Sequence, residues 1–272
     1  MLFTGCSTHI PVQKEVGKLN LQNEHFQNDK ATNHVIAIVS PVFAANDANA
    51  KAQNTTGMSR FEQLMAQRSG MNSSYNFSNA FVHEYSKQLA SAFENTISEM
   101  LSSEGFKLAG PYGNFDDMTY RDKKKSYLAF VPKVDFKIEQ KALHSENHRL
   151  YTHQDGVIQI GGSLIITMVE PMTGEVFMKK RINLSDFNIE EPYVYERQFT
   201  AGHGEIGDLG IGAALDKATA PKKLIDTTDV ALTKALNEFY AKSIKKIKKY
   251  LDREEILSYE RDVLKLKGLK RF

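Results

Sequence analysis

Gly202-His203-Gly204-Glu205-Ile206-Gly207 has the G-x-G-x-x-G spacing by which a backbone turn approaches a dinucleotide pyrophosphate. That chemistry needs a buried strand directly before the glycines and a helix directly after, so that helix amides face the phosphates. Here Tyr195-Glu196-Arg197-Gln198 precedes them and more glycines follow, so the run reads as a loop in a Gly- and Ala-rich stretch from Thr200 to Pro221. His144, His148 and His153, with Glu146 and Asp155, form a compact titratable set. Their order is H-x-E-x-H, not the H-E-x-x-H that puts two imidazoles and a general base on one helix face. The polar segment 145–156 reads as a hairpin tip with solvated histidines; the alternative is a weak metal or pH-sensing site. No Ser/His/Asp or Cys/His order and no carboxylate pair stands out. The expectation is therefore no catalysis, no cofactor and no metal centre.

The remaining candidates are cations and one thiol. Lys242, Lys245, Lys246, Lys249 and Arg253 recur at spacings of three and four, which puts them on one helix face. Such a stripe is either a solvated face that complements the helix C-terminal dipole, or a contact for an anionic partner such as phosphate head groups, lipopolysaccharide or an acidic glycan. In Lys179-Lys180-Arg181, strand alternation sends Lys180 to one face and its two neighbours to the other. Met1-Leu2-Phe3-Thr4-Gly5-Cys6-Ser7 reads as the end of an apolar signal, a small residue and the only cysteine. It resembles the lipobox of bacterial lipoproteins. The resemblance implies that Cys6 is acylated, palmitate included, and tethers the chain to a membrane; the alternative is an unmodified thiol. Ser7, rather than Asp, after the cysteine favours the outer membrane.

The elements that must position these residues follow from pattern. At 272 residues and 41% hydrophobic, the chain is long enough for a real core. With a formal net charge of +2 it offers no global electrostatic case for nucleic acid. No run of about 18 apolar residues exists to form a membrane-spanning helix, and one cysteine allows no internal disulfide. Residues 1–34 read as a signal remnant, lipidated cysteine and polar tether, with a short strand near Val16 to Leu21. Residues 35–272 read as one α/β domain with a mixed sheet, a polar insert at 44–78 and a C-terminal helical region over 227–272.

Val35-Ile36-Ala37-Ile38-Val39 predicts a buried strand. Phe81, Tyr85, Leu89, Phe93, Ile97 and Leu101 recur every four residues and predict a core-facing helix from Asn79 to Glu104, stopped by Gly105. Tyr127 to Lys141 and Val157 to Val169 predict strands, the second with a bulge at Gly161-Gly162. The turn Pro171-Met172-Thr173-Gly174 closes a hairpin with Val176 to Leu184. Leu232, Leu236, Phe239, Ile247 and Leu251 stripe a terminal helix, and Asp252 to Glu255 restarts a second.

Several strings together resemble the neuraminyllactose-binding hemagglutinin family of surface and flagellar-sheath lipoprotein adhesins. They are Gly5 to Ile10, Lys124-Lys125-Ser126-Tyr127-Leu128-Ala129, Val169-Glu170-Pro171-Met172-Thr173-Gly174-Glu175, Leu184 to Ile189, Ala235-Leu236-Asn237, Leu257-Ser258-Tyr259 and Leu266-Lys267-Gly268. The resemblance implies a mixed sheet with helices on both faces, a lipid anchor, and binding of sialylated glycans or of another anionic envelope component. The family's Lys-Arg-Thr-Ile-Gln-Lys string has no counterpart; the nearest run is Lys137-Ile138-Glu139-Gln140-Lys141. Lys137, Gln140, Lys141, Lys180 and Arg181 are the expected ligand contacts, with Lys141 or Arg181 placed to pair a carboxylate. The alternative is a structural envelope lipoprotein that meets no host ligand.

Overall fold

The structure, a computed structural model, describes residues 12–14, 17–21, 26, 29–47, 85–148, 151–199 and 221–269. In chain order these form β1 (Val12–Lys14), β2 (Val35–Val39), β3 (Val42–Asp47), α1 (Ser86–Ser103), β4 (Lys107–Tyr112), a 3₁₀ turn (Phe115–Asp117) and α2 (Tyr120–Lys125). There follow β5 (Leu128–His148), β6 (Tyr151–Val169), β7 (Val176–Asn183), a second 3₁₀ turn (Leu184–Phe187), β8 (Glu190–Phe199) and β9 (Pro221–Asp226). Helices α3 (Thr228–Lys248), α4 (Arg253–Ser258) and α5 (Glu260–Leu269) end the chain.

The strands make one mixed nine-stranded sheet in the order β1-β9-β8-β6-β5-β2-β4, with β3 added to β5 and β7 to β6. Antiparallel β5 and β6 are its spine, paired from Ala129↔Val169 to His148↔Tyr151. Along both strands the even-numbered side chains of the body are apolar and buried: Val134, Phe136 and Ile138 on β5, Ile158, Ile160, Leu164 and Ile166 on β6. That face is covered by α1 and α3. Phe93 of α1 packs against Phe239 and Tyr240 of α3, at 5.7 and 5.1 Å between ring centroids, and Phe239 packs on Phe136 at 4.8 Å. On the second face, Ala37, Ala129 and Val169 are covered by Met118 and Phe115 beside α2. The α/β class, the antiparallel hairpin, the helices on both faces and the C-terminal helical piece all agree with expectation.

Several local expectations are corrected. The short N-terminal strand is Val12–Lys14, parallel to β9, rather than Val16 to Leu21. Residues 17–21 instead lie along α3, where Asp229 accepts from the Gly17 amide at 2.8 Å. Gly161-Gly162 makes no bulge, since pairing runs unbroken from Phe136↔Gly162 to Lys137↔Gly161. Gly162 is needed for a different reason: its φ is +105° and a Cβ there would sit 2.0 Å from the Asp135 carbonyl oxygen. The break in register lies between Ala142 and His144. Residues 145–148 and 151–156 continue the two strands, so the expected loop at 145–156 is almost entirely sheet. Of the expected insert, Ala44–Asp47 belong to β3 and 48–78 lie outside the described residues, as do Phe81 and the loop 200–220. Strands β8 and β9 were not anticipated.

Candidate functional site

Within the described residues, several of the strings that carry the family resemblance build the scaffold. Lys267 of α5 donates to the carbonyls of Ser126 and, at 3.4 Å, Lys124, and its Nζ lies 3.8 Å from Oε1 of Glu170. Glu170 is fully buried, and its Oε2 accepts from the Thr173 amide and hydroxyl at 2.7 and 2.8 Å, which shapes the β6–β7 turn. Three of the quoted strings thus meet at one ammonium. Burial pulls the Lys267 pKa down, opposed by the Glu170 carboxylate. Asn237 accepts from the Asn20 amide at 2.8 Å and donates to Lys18, holding the N-terminal segment to α3. Tyr259 packs against Phe177 at 5.6 Å. These residues fix architecture and leave the ligand to be met elsewhere.

Among the described residues, none is seen to cover the second face of the spine beyond Ala129 and Val169. Strand alternation puts Lys133, Asp135, Lys137, Glu139 and Lys141 of β5 on this face. Register then sets Lys133 opposite Ile165, and Ile165 opposite Arg181, while Thr167 lies opposite Lys179. Lys133 and Arg181 are two strands apart, about 10 Å at the usual spacing, with the half-exposed Ile165 between them. Val42, 57% exposed, stands beside Lys133 on the other side. Lys133, Lys141, Lys179 and Arg181 are all exposed and carry no acidic partner among the described residues. Lys137 is paired with Glu139. An isoleucine between two exposed cations can receive a ring face and a carboxylate together.

The expected ligand set therefore divides. Lys137, Lys141 and Arg181 share the open face; Gln140 and Lys180 do not. Gln140 follows Ile138 on the core side, beside the buried Tyr193. Lys180 is bonded to Glu255 of α4 at 3.1 Å, lies over the Tyr250 ring at 5.6 Å, and has its pKa raised chiefly by the Glu255 hydrogen bond. Lys133 was missed, although the period-two run of charges from Lys133 to Lys141 is visible in sequence, and Lys179, placed beside Arg181 by strand parity, was left out of the expected ligand contacts.

The histidine set lies on the same face. Absorbing Leu143 in the irregularity between Ala142 and His144 shifts the parity of β5, so His144 and Glu146 come opposite Asp155 and His153. Two histidines of the set pair with a carboxylate of their own strand, His144 with Glu146 at 3.0 Å and His153 with Asp155 at 3.3 Å. The two rings are 6.2 Å apart. Among the described residues no group of three or more His, Cys, Asp or Glu is disposed to hold a metal ion.

Of the helix stripe, the ends are structural. Lys242 donates to the Phe187 carbonyl at 2.6 Å and pairs with Glu238, while Arg253 bonds the Lys30 and Glu104 carbonyls. Lys245, Lys246 and Lys249 are exposed. Cys6 and the Gly202–Gly207 run lie outside the described residues. No helix among the described residues is long and apolar enough to cross a membrane.

The family model described as neuraminyllactose-binding hemagglutinin precursor matches residues 71–270. Proteins named neuraminyllactose-binding hemagglutinin from Helicobacter pylori, strains ATCC 700392 / 26695 and J99 / ATCC 700824, are each 24% identical over 283 aligned positions, covering 98% of this chain and 90% of theirs. A crystal structure of a homolog of that hemagglutinin, also from Helicobacter pylori, superposes with a TM-score of 0.53 at 13% identity, over 89% of this chain and 99% of the other. That likeness extends to the fold.

Proposed function

The chain belongs to the neuraminyllactose-binding hemagglutinin family, and we propose that it is an envelope lipoprotein that binds sialylated glycans on the open face of its sheet. The observation that carries this reading is the row Lys133–Ile165–Arg181, with Lys179 and Lys141 around it, on a family member whose relatives are named for binding. Sialic acid offers one carboxylate and an apolar ring face, and this row offers cations on either side of an isoleucine. No step of covalent chemistry is called for. The lipid anchor is Cys6, and the location is the outer membrane, exposed at the cell surface or on a flagellar sheath.

The test is binding of the delipidated protein to sialylated and enzymatically desialylated glycoprotein on one array. Reversing Lys133 and Arg181 to Glu together should remove the sialic-acid-dependent signal, and the wild-type signal should weaken between low salt and about 0.15 M, where the screening length is about 8 Å. Single exposed charges are worth only about 0.2–1 kcal/mol, so the pair is changed together. Equal binding by the double variant, or equal binding to both glycoproteins, would sink the assignment. The alternative, a structural lipoprotein that binds another anionic envelope component, predicts no sialic-acid dependence and capture of that component from envelope extract.

A further inference from the structure

The sheet register fixes which end of the molecule the anchored N-terminus enters. Val12 is paired with Leu224, Leu224 with Arg197, Arg197 with Thr152 and Thr152 with Asn147. These five residues form one row across β1, β9, β8, β6 and β5, beside the turn that joins β5 to β6. From that row the chain travels steadily away. The Gly17 amide binds Asp229 at the start of α3, Lys18 and Asn20 bind Asn237, Phe26 lies under Lys248 at 4.9 Å, and the Lys30 carbonyl accepts from Arg253. Measured on α3 as a ruler, Asp229 to Lys249 is about 30 Å at 1.5 Å per residue. The lock between Lys267 and Glu170 stands at the opposite end of β6 from Tyr151.

Cys6 precedes Val12 by six residues, which reach at most about 22 Å in any conformation. An acyl chain on Cys6 is therefore tied within about 22 Å of Val12, short of the α4–α5 end.

We propose that the β5–β6 hairpin end is apposed to the lipid surface, and that the row around Ile165, the exposed Lys245, Lys246 and Lys249, and helices α4 and α5 are held outward. This rests on the Cys6 anchor of the proposed function and adds a direction to it. In this orientation the lysine stripe of α3 does not meet the head groups of the anchoring membrane; an anionic partner there belongs to an opposing surface. The hairpin, 21 and 19 residues per strand, serves as the spacer.

The chain contains no tryptophan, so one introduced indole is a unique reporter. Leu143, 64% exposed near the hairpin end, and Leu264, 58% exposed on α5, accept the larger ring without entering the core. The full-length protein, expressed with a complete signal, is reconstituted in phosphatidylethanolamine/phosphatidylglycerol vesicles carrying a dansyl head-group lipid. Energy transfer should be several-fold greater from Leu143→Trp than from Leu264→Trp, with Lys246→Trp behaving like the latter. Equal transfer, or the reverse order, overturns the orientation while leaving the anchor intact. Mass spectrometry of the N-terminal peptide separates the two ideas: an unacylated Cys6 overturns the anchor and the orientation with it.

Discussion

At Lys267, three segments distant in sequence are joined through one side chain. Its carbonyl contacts at Ser126 and Lys124 hold the start of β5, and its contact with Glu170 holds the end of β6. Lys267→Met leaves the fully buried Glu170 without its counter-charge. Losing one member of a buried pair costs about 3–5 kcal/mol, and the 3.8 Å separation and partial exposure of Lys267 place this case at the low end, about 3 kcal/mol. Urea unfolding of the variant measures it. Lys267→Met with Glu170→Gln should recover more than half of the loss, because the amide still accepts from Thr173. Two independent, additive losses would show that the pair is not coupled. The pH dependence has a definite sign. Burial lowers the folded pKa of Lys267 below the unfolded lysine value of about 10.4, so between the two the unfolded chain binds more protons. The contribution of this residue to stability therefore rises with pH through that window, and Lys267→Met should flatten the rise.

Among the elements, α1 shows what periodicity alone can decide. Leu89, Phe93, Ile97 and Leu101 are 1% exposed or less, on the face that their four-residue spacing predicts. Phe93 touches Phe43, Phe239 and Tyr240, so it joins β3, α1 and α3. Phe93→Ala should cost roughly 3–5 kcal/mol by thermal unfolding, and an unchanged midpoint would mean that the ring is not core. Helices were legible because an amphipathic stripe is a local signal. The length of the spine was not, because residues 141–155 are mostly polar with no consistent apolar alternation, and the pattern then carries no information about pairing. The site was half legible for the same reason. Lys180 was separable from Arg181 by strand parity, and the structure ties Lys180 to Glu255. Gln140 was grouped with Lys137 and Lys141 by adjacency, although parity sends it to the core side. Which strand lies beside which is a non-local fact, so the approach of Arg181 to Lys133 across β6 could not be read from either string.

On the scale of the whole molecule, the sheet is longer than the core that supports it. Among the described residues, fully buried apolar side chains stop at Ile158 on β6 and Tyr193 on β8. Beyond them 141–146 are exposed, and 151–155, 194–198 and 223–226 are only half-buried. Pairing in that end is held, among the described residues, by β8, β9 and the three residues of β1, with ion pairs such as Lys223–Glu196 at 3.1 Å. This end has no fully buried apolar side chain among the described residues, so opening it exposes less apolar surface than opening the body and needs less than global unfolding. Native-state amide hydrogen exchange should therefore divide the same two strands. Amides of Phe130, Val131, Lys133 to Phe136 and Leu164 to Met168 should exchange with free energies near the global value, and those of His144 to Glu146 and Tyr151 to Asp155 several kcal/mol below it, through local opening. Uniform protection along β5 and β6 would show that the hairpin end is stabilised by something other than the packing described. If the division is found, a spacer that yields before the body does will leave the Lys133–Ile165–Arg181 row intact when the hairpin end is strained, because the row lies on the stretch of β5, β6 and β7 whose opposite face is packed into the core.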